Sequence, residues 1–296
     1  MKREYLLAGG AVIVWGTGPA VMKTLVASMP AMEVLFLDML TAAAFLAAFA
    51  VGTGKRRLAR LYTPKVYLKM AGMGFLGIFV YSALYCWGIK ILPVQDACVI
   101  NYLWPILIVL FSCIVLGEKL TARKAAAIAV SFLGVVLIAA KDGTGGGASS
   151  GEMIAGALMC VAAAVSYALF AVLNKKEDKE QTIANAVYFA VAALCSGILM
   201  ALGGNVIPLT AWQIFGIVWS GVVVNGVGYL LWSKALNGGD TAKISTLAYC
   251  VPALTMIISI AWLHEAASLL SAAGLAMIII GVFIQMSKNK QKTAER

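Results

Sequence analysis

Two copies of a Tyr-x-x-Pro motif lie in the middle of apolar stretches, at residues 102–105 and 249–252. Proline inside a helix lacks the N–H that would bond the carbonyl four residues earlier, so the carbonyls of Asn101 and Ala248 are expected to be free. In hydrocarbon, a freed carbonyl is tolerated only where protein or a water-filled cavity satisfies it. The two motifs therefore indicate a duplicated membrane protein with a central cavity.

Aromatic and amide side chains around these motifs are the candidates for substrate binding. Such rings pack against flat or apolar groups and attract an ammonium through cation–π interaction. The predicted substrate-binding residues are Asn101, Tyr102, Trp104, Pro105, Tyr249, Pro252, Tyr81, Tyr85, Trp15 and Tyr167. For any single ring, the alternative interpretation is helix packing or an interfacial aromatic belt.

Lys23 and Asp38 are the charges that lie well inside apolar stretches of the first half. A charged group at the centre of a membrane helix costs at least about 2.5–3.5 kcal/mol, so it usually has a partner or a role. One hypothesis pairs Lys23 with Asp38 as a gate on the outer side. A second has Lys23 extending to the membrane surface, which leaves Asp38 available for proton coupling.

The sequence offers little for catalysis, metal binding or ATP hydrolysis. His264 is the single histidine, and the six cysteines have no CxxC or CxxH spacing. Catalysis would need His, Asp, Glu or Ser clustered near one interface, and no Walker motif is present. We therefore expect neither an enzyme nor a protein with a metal or cofactor.

The elements that position these residues follow from composition. The chain is 62% hydrophobic and 12% charged, with a mean hydropathy of +0.92. A membrane helix needs roughly 20 mostly apolar residues. Ten stretches qualify: about 5–28, 31–51, 66–88, 94–116, 121–140, 153–174, 182–202, 211–235, 241–263 and 268–286.

The net charge of +10 is explained by the position of the charges rather than by nucleic acid. When the N-terminus is placed in the cytoplasm, 20 of the 23 Lys and Arg residues fall on the cytoplasmic side. Lys90 and Lys141 fall on the opposite side. This is the positive-inside bias, which predicts that both termini are cytoplasmic.

The two halves of the chain repeat each other. Leu133-Gly134-Val135 corresponds to Ile280-Gly281-Val282 at the same offset as the Tyr-x-x-Pro motifs. Since each half has five spans, the halves must insert with opposite orientation. We therefore predict an all-α integral membrane protein with ten transmembrane helices as two inverted five-helix repeats. The predicted segments are repeats at 1–141 and 153–287, a Gly-rich periplasmic or extracellular linker at 142–152, and a basic cytoplasmic tail at 288–296.

Specific motifs resemble a known family. Leu116-Gly117-Glu118-Lys119-Leu120-Thr121 is similar to the hallmark of the drug/metabolite transporter superfamily, EamA type, and Trp15-Gly16 is also similar to that family. Asn101-Tyr102-Leu103-Trp104-Pro105 and Asn174-Lys175 resemble the branch that exports aromatic and other neutral amino acids. The resemblance implies a multi-pass transporter of a bacterial-type cytoplasmic membrane.

The leading hypothesis is a secondary or facilitative exporter of aromatic or large neutral amino acids, working by alternating access of two halves. In this hypothesis the freed carbonyls of Asn101 and Ala248 bind the ammonium group of the substrate, and the aromatic rings bind its side chain. Its partners are a small-molecule substrate and the lipid bilayer, without nucleic acid, and the chain is either a monomer or a homodimer. The alternative transport hypothesis is efflux of lipophilic or quaternary-ammonium drugs. The first span carries no acidic residue between Tyr5 and Ser28 and one cation, Lys23, which favours zwitterions or anions. The alternative outside transport is a membrane sensor or lipid-handling protein.

Overall fold

The computed structural model describes residues 2–115, 117, 120–139, 149–174, 179–203, 207–238, 246–266 and 268–286, and the regular elements in these ranges are all helical. The α-helices of the first half are α1 (Lys2–Ser28), α2 (Ala31–Gly52), α3 (Arg56–Ala59), α4 (Pro64–Gly74), α5 (Tyr81–Ile91), α6 (Val94–Asn101), α7 (Trp104–Val115) and α8 (Ala122–Ala139). Those of the second half are α9 (Ser150–Asn174), α10 (Gln181–Gly203), α11 (Ala211–Val218), α12 (Gly228–Gly238), α13 (Cys250–Leu263) and α14 (Leu269–Met286).

Many of these helices are long and apolar enough to cross a bilayer. Seven qualify by length and composition, namely Arg3–Ser28, Ala31–Gly52, Pro64–Ile91, Val94–Val115, Ser150–Asn174, Gln181–Gly203 and Ala211–Trp232. Two shorter apolar helices, Cys250–Leu263 and Leu269–Gly281, accompany them among the described residues. The helices agree with the all-α membrane architecture expected from the composition.

The predicted linker ends earlier than the sequence analysis placed it. Helix α9 begins at Ser150, inside the predicted range 142–152. Ser149 and Glu152 form a capping box, because each side chain bonds the main-chain N–H of the other, at 3.3 and 2.7 Å. Residues 142–148 of the linker and the predicted tail at 288–296 lie outside the described residues.

Both Tyr-x-x-Pro motifs break their helices, whereas the sequence analysis placed each proline inside a continuous helix. Helix α6 ends at Asn101 and α7 begins at Trp104, so Pro105 occupies the first turn of α7. Likewise, a short 3₁₀-helix at Thr246–Tyr249 precedes α13, and Pro252 lies in the first turn of that helix. In a first turn the missing N–H of proline costs nothing, so a break there is favoured.

Two π-helices, which the sequence analysis did not predict, interrupt otherwise regular helices. One, at Phe75–Val80, joins α4 to α5, and the other, at Trp219–Val227, joins α11 to α12. In each, a side chain from the other half donates to a main-chain carbonyl: Ser166 Oγ to Leu76 O at 2.6 Å, and Trp15 Nε1 to Val224 O at 3.2 Å. Short π segments are often found at functional sites.

Helix pairs from different halves surround the centre of the molecule. Helix α2 packs along α10, α1 packs against α12 and α13, and α5 and α7 pack against α9. Buried side chains between these helices include Leu35, Leu46, Tyr188 and Phe189. This packing leaves a space at the centre, to which helices of both halves contribute.

Candidate functional site

A cavity of about 220 Å³ lies between the helices of the two halves. Its walls come from α1, α2, α5, the α6–α7 break, α9, the π-helix Trp219–Val227, α12 and the segment around Ala248. The sequence analysis did not include α2 in the cavity wall. The predicted residues that the structure brings together there are Trp15, Asp38, Tyr81, Tyr85, Asn101, Tyr102, Trp104 and Tyr167.

Three predicted site residues do not line the cavity, and the side chain of a fourth is not described. Pro105 and Pro252 are buried and form turns behind the cavity wall rather than lining it. The side chain of Tyr249 lies outside the described part of the chain. Lys23 does not line the cavity either.

The carbonyl of Ala248, which the sequence analysis assigned to the substrate, has a protein partner. The hydroxyl of Tyr102 donates to the Ala248 carbonyl oxygen at 3.0 Å, and the bond is buried. The tyrosine of one motif thus satisfies the carbonyl beside the other motif. This contact ties the α6–α7 break to the 3₁₀-helix and occupies one of the two acceptor positions of that carbonyl.

The side-chain oxygen of Asn101 is an acceptor without a hydrogen-bond partner in the described structure. The Nδ2 of the same side chain donates to the Tyr81 hydroxyl at 3.1 Å, whereas Oδ1 is buried. Asn101 is only 4% exposed and lines the cavity. A buried acceptor without a partner costs about 1–3 kcal/mol, so a donor in the cavity would be bound favourably.

Aromatic rings form two groups on the cavity wall. In the first group, Tyr167 lies 5.2 Å from Tyr81 and 5.4 Å from Trp104, measured between ring centroids. In the second, Trp15 lies 5.6 Å from Tyr229 and 5.2 Å from Trp232. These spacings are those of interacting aromatic pairs. The rings hold one another in place and present apolar faces to a ligand.

Asp38 is the acidic side chain of the cavity. It is 1% exposed and accepts hydrogen bonds from Asn225 Nδ2 at 3.1 and 3.3 Å, with Ser220 as a further partner. Both partners belong to the π-helix Trp219–Val227. Among the described residues that line the cavity, no Lys, Arg or His is present. The cavity therefore carries a carboxyl group that only neutral donors stabilise.

Lys23 has partners other than Asp38. Its ammonium donates to the carbonyls of Ile89 at 2.5 Å and Leu92 at 2.8 Å, where α5 ends. Across the following proline, the Glu265 carboxylate accepts from the main-chain N–H of Val94 at 2.7 Å, where α6 begins. A cation at a helix C-terminus and an anion at a helix N-terminus both suit the helix dipole. Lys23 is thus a helix-end ligand rather than half of a Lys–Asp gate.

Several cavity residues were missed from the sequence, among them Ser220, Tyr229 and Trp232. A signal for Tyr229 was present, since it lies four residues after Asn225, and residues at that spacing share a helix face. Trp232 had the same signal, since it lies three residues after Tyr229 on the same helix face. Ser220 had no such signal, because it lies in the π-helix, which a regular helical pattern does not describe.

Comparison with known proteins shows a match to one family over nearly the whole chain. The model of the EamA-like transporter family matches twice, at residues 2–140 and at residues 154–287. Between them, the two matches cover all of the cavity residues described above.

Individual relatives are transporters. The uncharacterized transporter YvbV of Bacillus subtilis is 27% identical over 99% of this chain and 94% of its own length. The aromatic amino acid exporter YddG of Ancylobacter novellus is 28% identical, covering 94% of this chain and 95% of its own. A probable terminal-alkyne amino-acid exporter of Streptantibioticus cattleyicolor is 26% identical over 84% of this chain and 82% of its own. A crystal structure that is 24% identical and covers 96% of both chains superposes with a TM-score of 0.69, which supports the fold.

Proposed function

Since the chain belongs to the EamA-like transporter family, we propose that it exports small metabolites, foremost aromatic or large neutral amino acids. Members of this family are transporters, so the chain is a multi-pass membrane transporter and not an enzyme. The proposal concerns the substrate, the site and the route. Its location would be the cytoplasmic membrane of a bacterial-type cell, which the positive-inside bias supports.

The observation that carries the substrate proposal is an aromatic cavity with a buried acceptor, Asn101 Oδ1, that has no partner among the described residues. The volume of about 220 Å³ is below the roughly 300–1,000 Å³ of sites for drug-sized ligands. A single small amphipathic molecule suits this volume. The names of two relatives, an aromatic amino acid exporter and a probable amino-acid exporter, agree with this class.

In the proposed complex, the substrate ring packs between the two aromatic groups that contain Tyr167 and Trp15. The ammonium of the substrate donates to Asn101 Oδ1, in place of the Ala248 carbonyl that Tyr102 already occupies. Apolar contact gives the larger part of the affinity, while the hydrogen bond fixes orientation. The substrate site thus includes Tyr81, Trp104 and their neighbours on the cavity wall.

The proposed route is alternating access of two inverted five-helix halves, at 1–141 and 153–287, with both termini in the cytoplasm. Support comes from the two matches to one family model and from the π-helices, which interrupt one helix in each half. Secondary transporters commonly bind substrate between inverted repeats with broken helices, and the halves then rock around the site. The break at residues 102–103 meets this description.

A second candidate substrate class is organic cations, including lipophilic and quaternary-ammonium compounds. The observation that favours it is Asp38, a carboxyl group that faces the cavity without a described cationic partner. The two classes differ in volume and in hydrogen bonding. A quaternary ammonium has no N–H with which to reach Asn101 Oδ1.

The test is flux of labelled phenylalanine, tryptophan and a quaternary-ammonium dye through liposomes containing the purified full-length chain. We expect flux of the amino acids, and at least a tenfold loss in the Trp104→Ala variant (about 1.4 kcal/mol), because the ring that contacts Tyr167 is removed. Trp87→Ala is the matched control, since Trp87 is 43% exposed on the outer surface of the helix bundle and should leave flux unchanged. Full flux in Trp104→Ala would refute the site, and flux of the dye alone would establish the second class.

A further inference from the structure

The carboxyl group of Asp38 is surrounded by neutral groups. Asn225 and Ser220 face it from the π-helix, and the Cys86 thiol lies near it on α5. Thr41, on its own helix, bonds the Asp38 carbonyl rather than the carboxylate. No Lys or Arg of the described chain forms an ion pair with Asp38. A charge in such a place is stabilised when a cation enters the cavity beside it.

The charge balance of the cavity differs from the one that the sequence indicated. The preference for zwitterions or anions rested on Lys23 as the charge of the first span. In the structure, Lys23 binds the carbonyls at the end of α5 and does not line the cavity. Removing this cation from the site leaves Asp38 as the charge-bearing side chain among the described lining residues.

The hydrogen-bonding groups of the cavity also favour a ligand that carries an ammonium group. A carboxylate has about four acceptor positions, of which the Asn225 amide and the Ser220 hydroxyl use part. Asn101 Oδ1 adds a second acceptor with no partner. The described lining also has no cation to receive the carboxylate of an amino acid.

We propose that Asp38, together with Asn101, binds a primary ammonium group, and that the cavity prefers aromatic primary amines over the corresponding zwitterionic amino acids. The inference rests on the proposed function in assuming that the cavity binds aromatic metabolites. A carboxylate on the ligand lies in the same small cavity as Asp38 and repels it, whereas its removal leaves the ammonium contacts intact. Methylation of the nitrogen keeps the charge but removes the N–H donors that both acceptors require.

The experiment is competition against labelled phenylalanine for binding to the purified full-length chain in detergent. The competitors are phenylalanine, phenethylamine, trimethyl(phenethyl)ammonium and N-acetylphenylalanine. We expect phenethylamine to compete about tenfold better than phenylalanine, which is about 1.4 kcal/mol. The quaternary analogue should be weaker than phenethylamine, and N-acetylphenylalanine should be the weakest of the four. Phenethylamine that competes no better than phenylalanine would overturn the inference.

Two variants locate the preference. Asp38→Asn removes the charge and keeps the shape, and we expect it to weaken phenethylamine binding more than phenylalanine binding, so that the preference for the amine is lost. Glu33→Gln is the matched control: Glu33 is a 2% exposed acid on the same helix that does not line the cavity, so its preference should equal that of the parent chain. An unchanged preference in Asp38→Asn would refute the role of Asp38.

The competition series on the parent chain decides the selectivity even if Asp38→Asn does not fold. If the proposed function is wrong, the result will be different: the parent chain will not bind labelled phenylalanine. In that case labelled phenethylamine is used directly. Its binding would support the ammonium site without amino-acid export, and absence of its binding would reject the ammonium site as well.

Discussion

Two helix crossings in this molecule have similar backbones and different side chains. At one, α2 crosses the π-helix Trp219–Val227, and a Cβ built on Gly221 would lie 2.6 Å from the Asp38 carbonyl oxygen. At the other, α10 crosses the end of α4, and a Cβ on Gly74 would lie 2.9 Å from the Tyr188 carbonyl oxygen. In both places glycine permits main chain to lie against main chain.

The side chain presented at each crossing decides what the crossing does. Tyr188 is fully buried, donates its hydroxyl to Asn174 Oδ1 at 2.7 Å and packs edge-on against Phe170 at 5.4 Å. Asp38 is almost as buried, yet it faces the cavity. One crossing therefore contributes to packing, and the other places a carboxyl group at the wall of the cavity. If the ligand binds as proposed, the residue type at each crossing decides whether that crossing serves stability or binding.

The largest effect on stability is expected from Gly74→Ala. The new methyl group would lie 2.7 Å from the Tyr188 Cα, so the helices must move apart. Overpacking typically costs 1–3 kcal/mol, while alanine returns up to about 1 kcal/mol of helix propensity. We expect a net destabilisation of about 1–2 kcal/mol, measured by thermal unfolding in detergent.

Gly72→Ala is the control for that substitution, because nothing lies within 4 Å of a Cβ at this position on the same helix. It should be neutral or slightly stabilising. If the crossings are equivalent, Gly221→Ala should destabilise the chain as much as Gly74→Ala does. A Gly221→Ala variant that is as stable as the parent chain would show that the two crossings are not equivalent.

A smaller effect on stability is expected from Tyr188→Phe. This substitution tests whether the Tyr188 crossing contributes to stability alone. The loss of the bond to Asn174 should cost about 0.5–1.5 kcal/mol of stability, without changing flux or the preference among ligands. Tyr5→Phe, at a 37% exposed position of α1, is the control for removing a hydroxyl and should leave stability unchanged. A change in ligand preference in Tyr188→Phe would mean that both crossings contribute to the site.

The sequence predicts which residues form this site better than it predicts which groups those residues contact. Apolar runs and motif spacing place Tyr81, Asn101 and Trp104 at membrane depth, and the structure brings them to one cavity. Depth along a helix does not specify which way a side chain points, so Lys23 and Asp38 could not be assigned partners from sequence. The π-helices could not be predicted, because close main-chain contact at Gly74 and Gly221 is a tertiary feature.

The smallest effect on stability is expected from an ion pair between the ends of α2 and α10. Lys55 follows α2, and Glu180 precedes α10. The Lys55 ammonium lies 2.5 Å from the Glu180 carboxylate. Partial burial raises the pKa of Glu180, but bonds from Lys55, Ile183 N–H and Thr182 outweigh it and hold that pKa below its ordinary value. A lowered pKa in the folded state stabilises the chain above the ordinary carboxyl range and loses this effect as the pH falls through the folded pKa.

Glu180→Gln should therefore lower stability at neutral pH, and the difference from the parent chain should shrink as the pH falls below about 4.3. We expect less than about 1 kcal/mol, because both side chains are partly exposed and salt screens the pair. Thermal unfolding at several pH values measures the effect, and repeating it in 1 M salt is the control, which should reduce the difference at neutral pH. A difference that stays the same in acid would show that Glu180 contributes through packing or uncharged hydrogen bonds rather than through this ion pair.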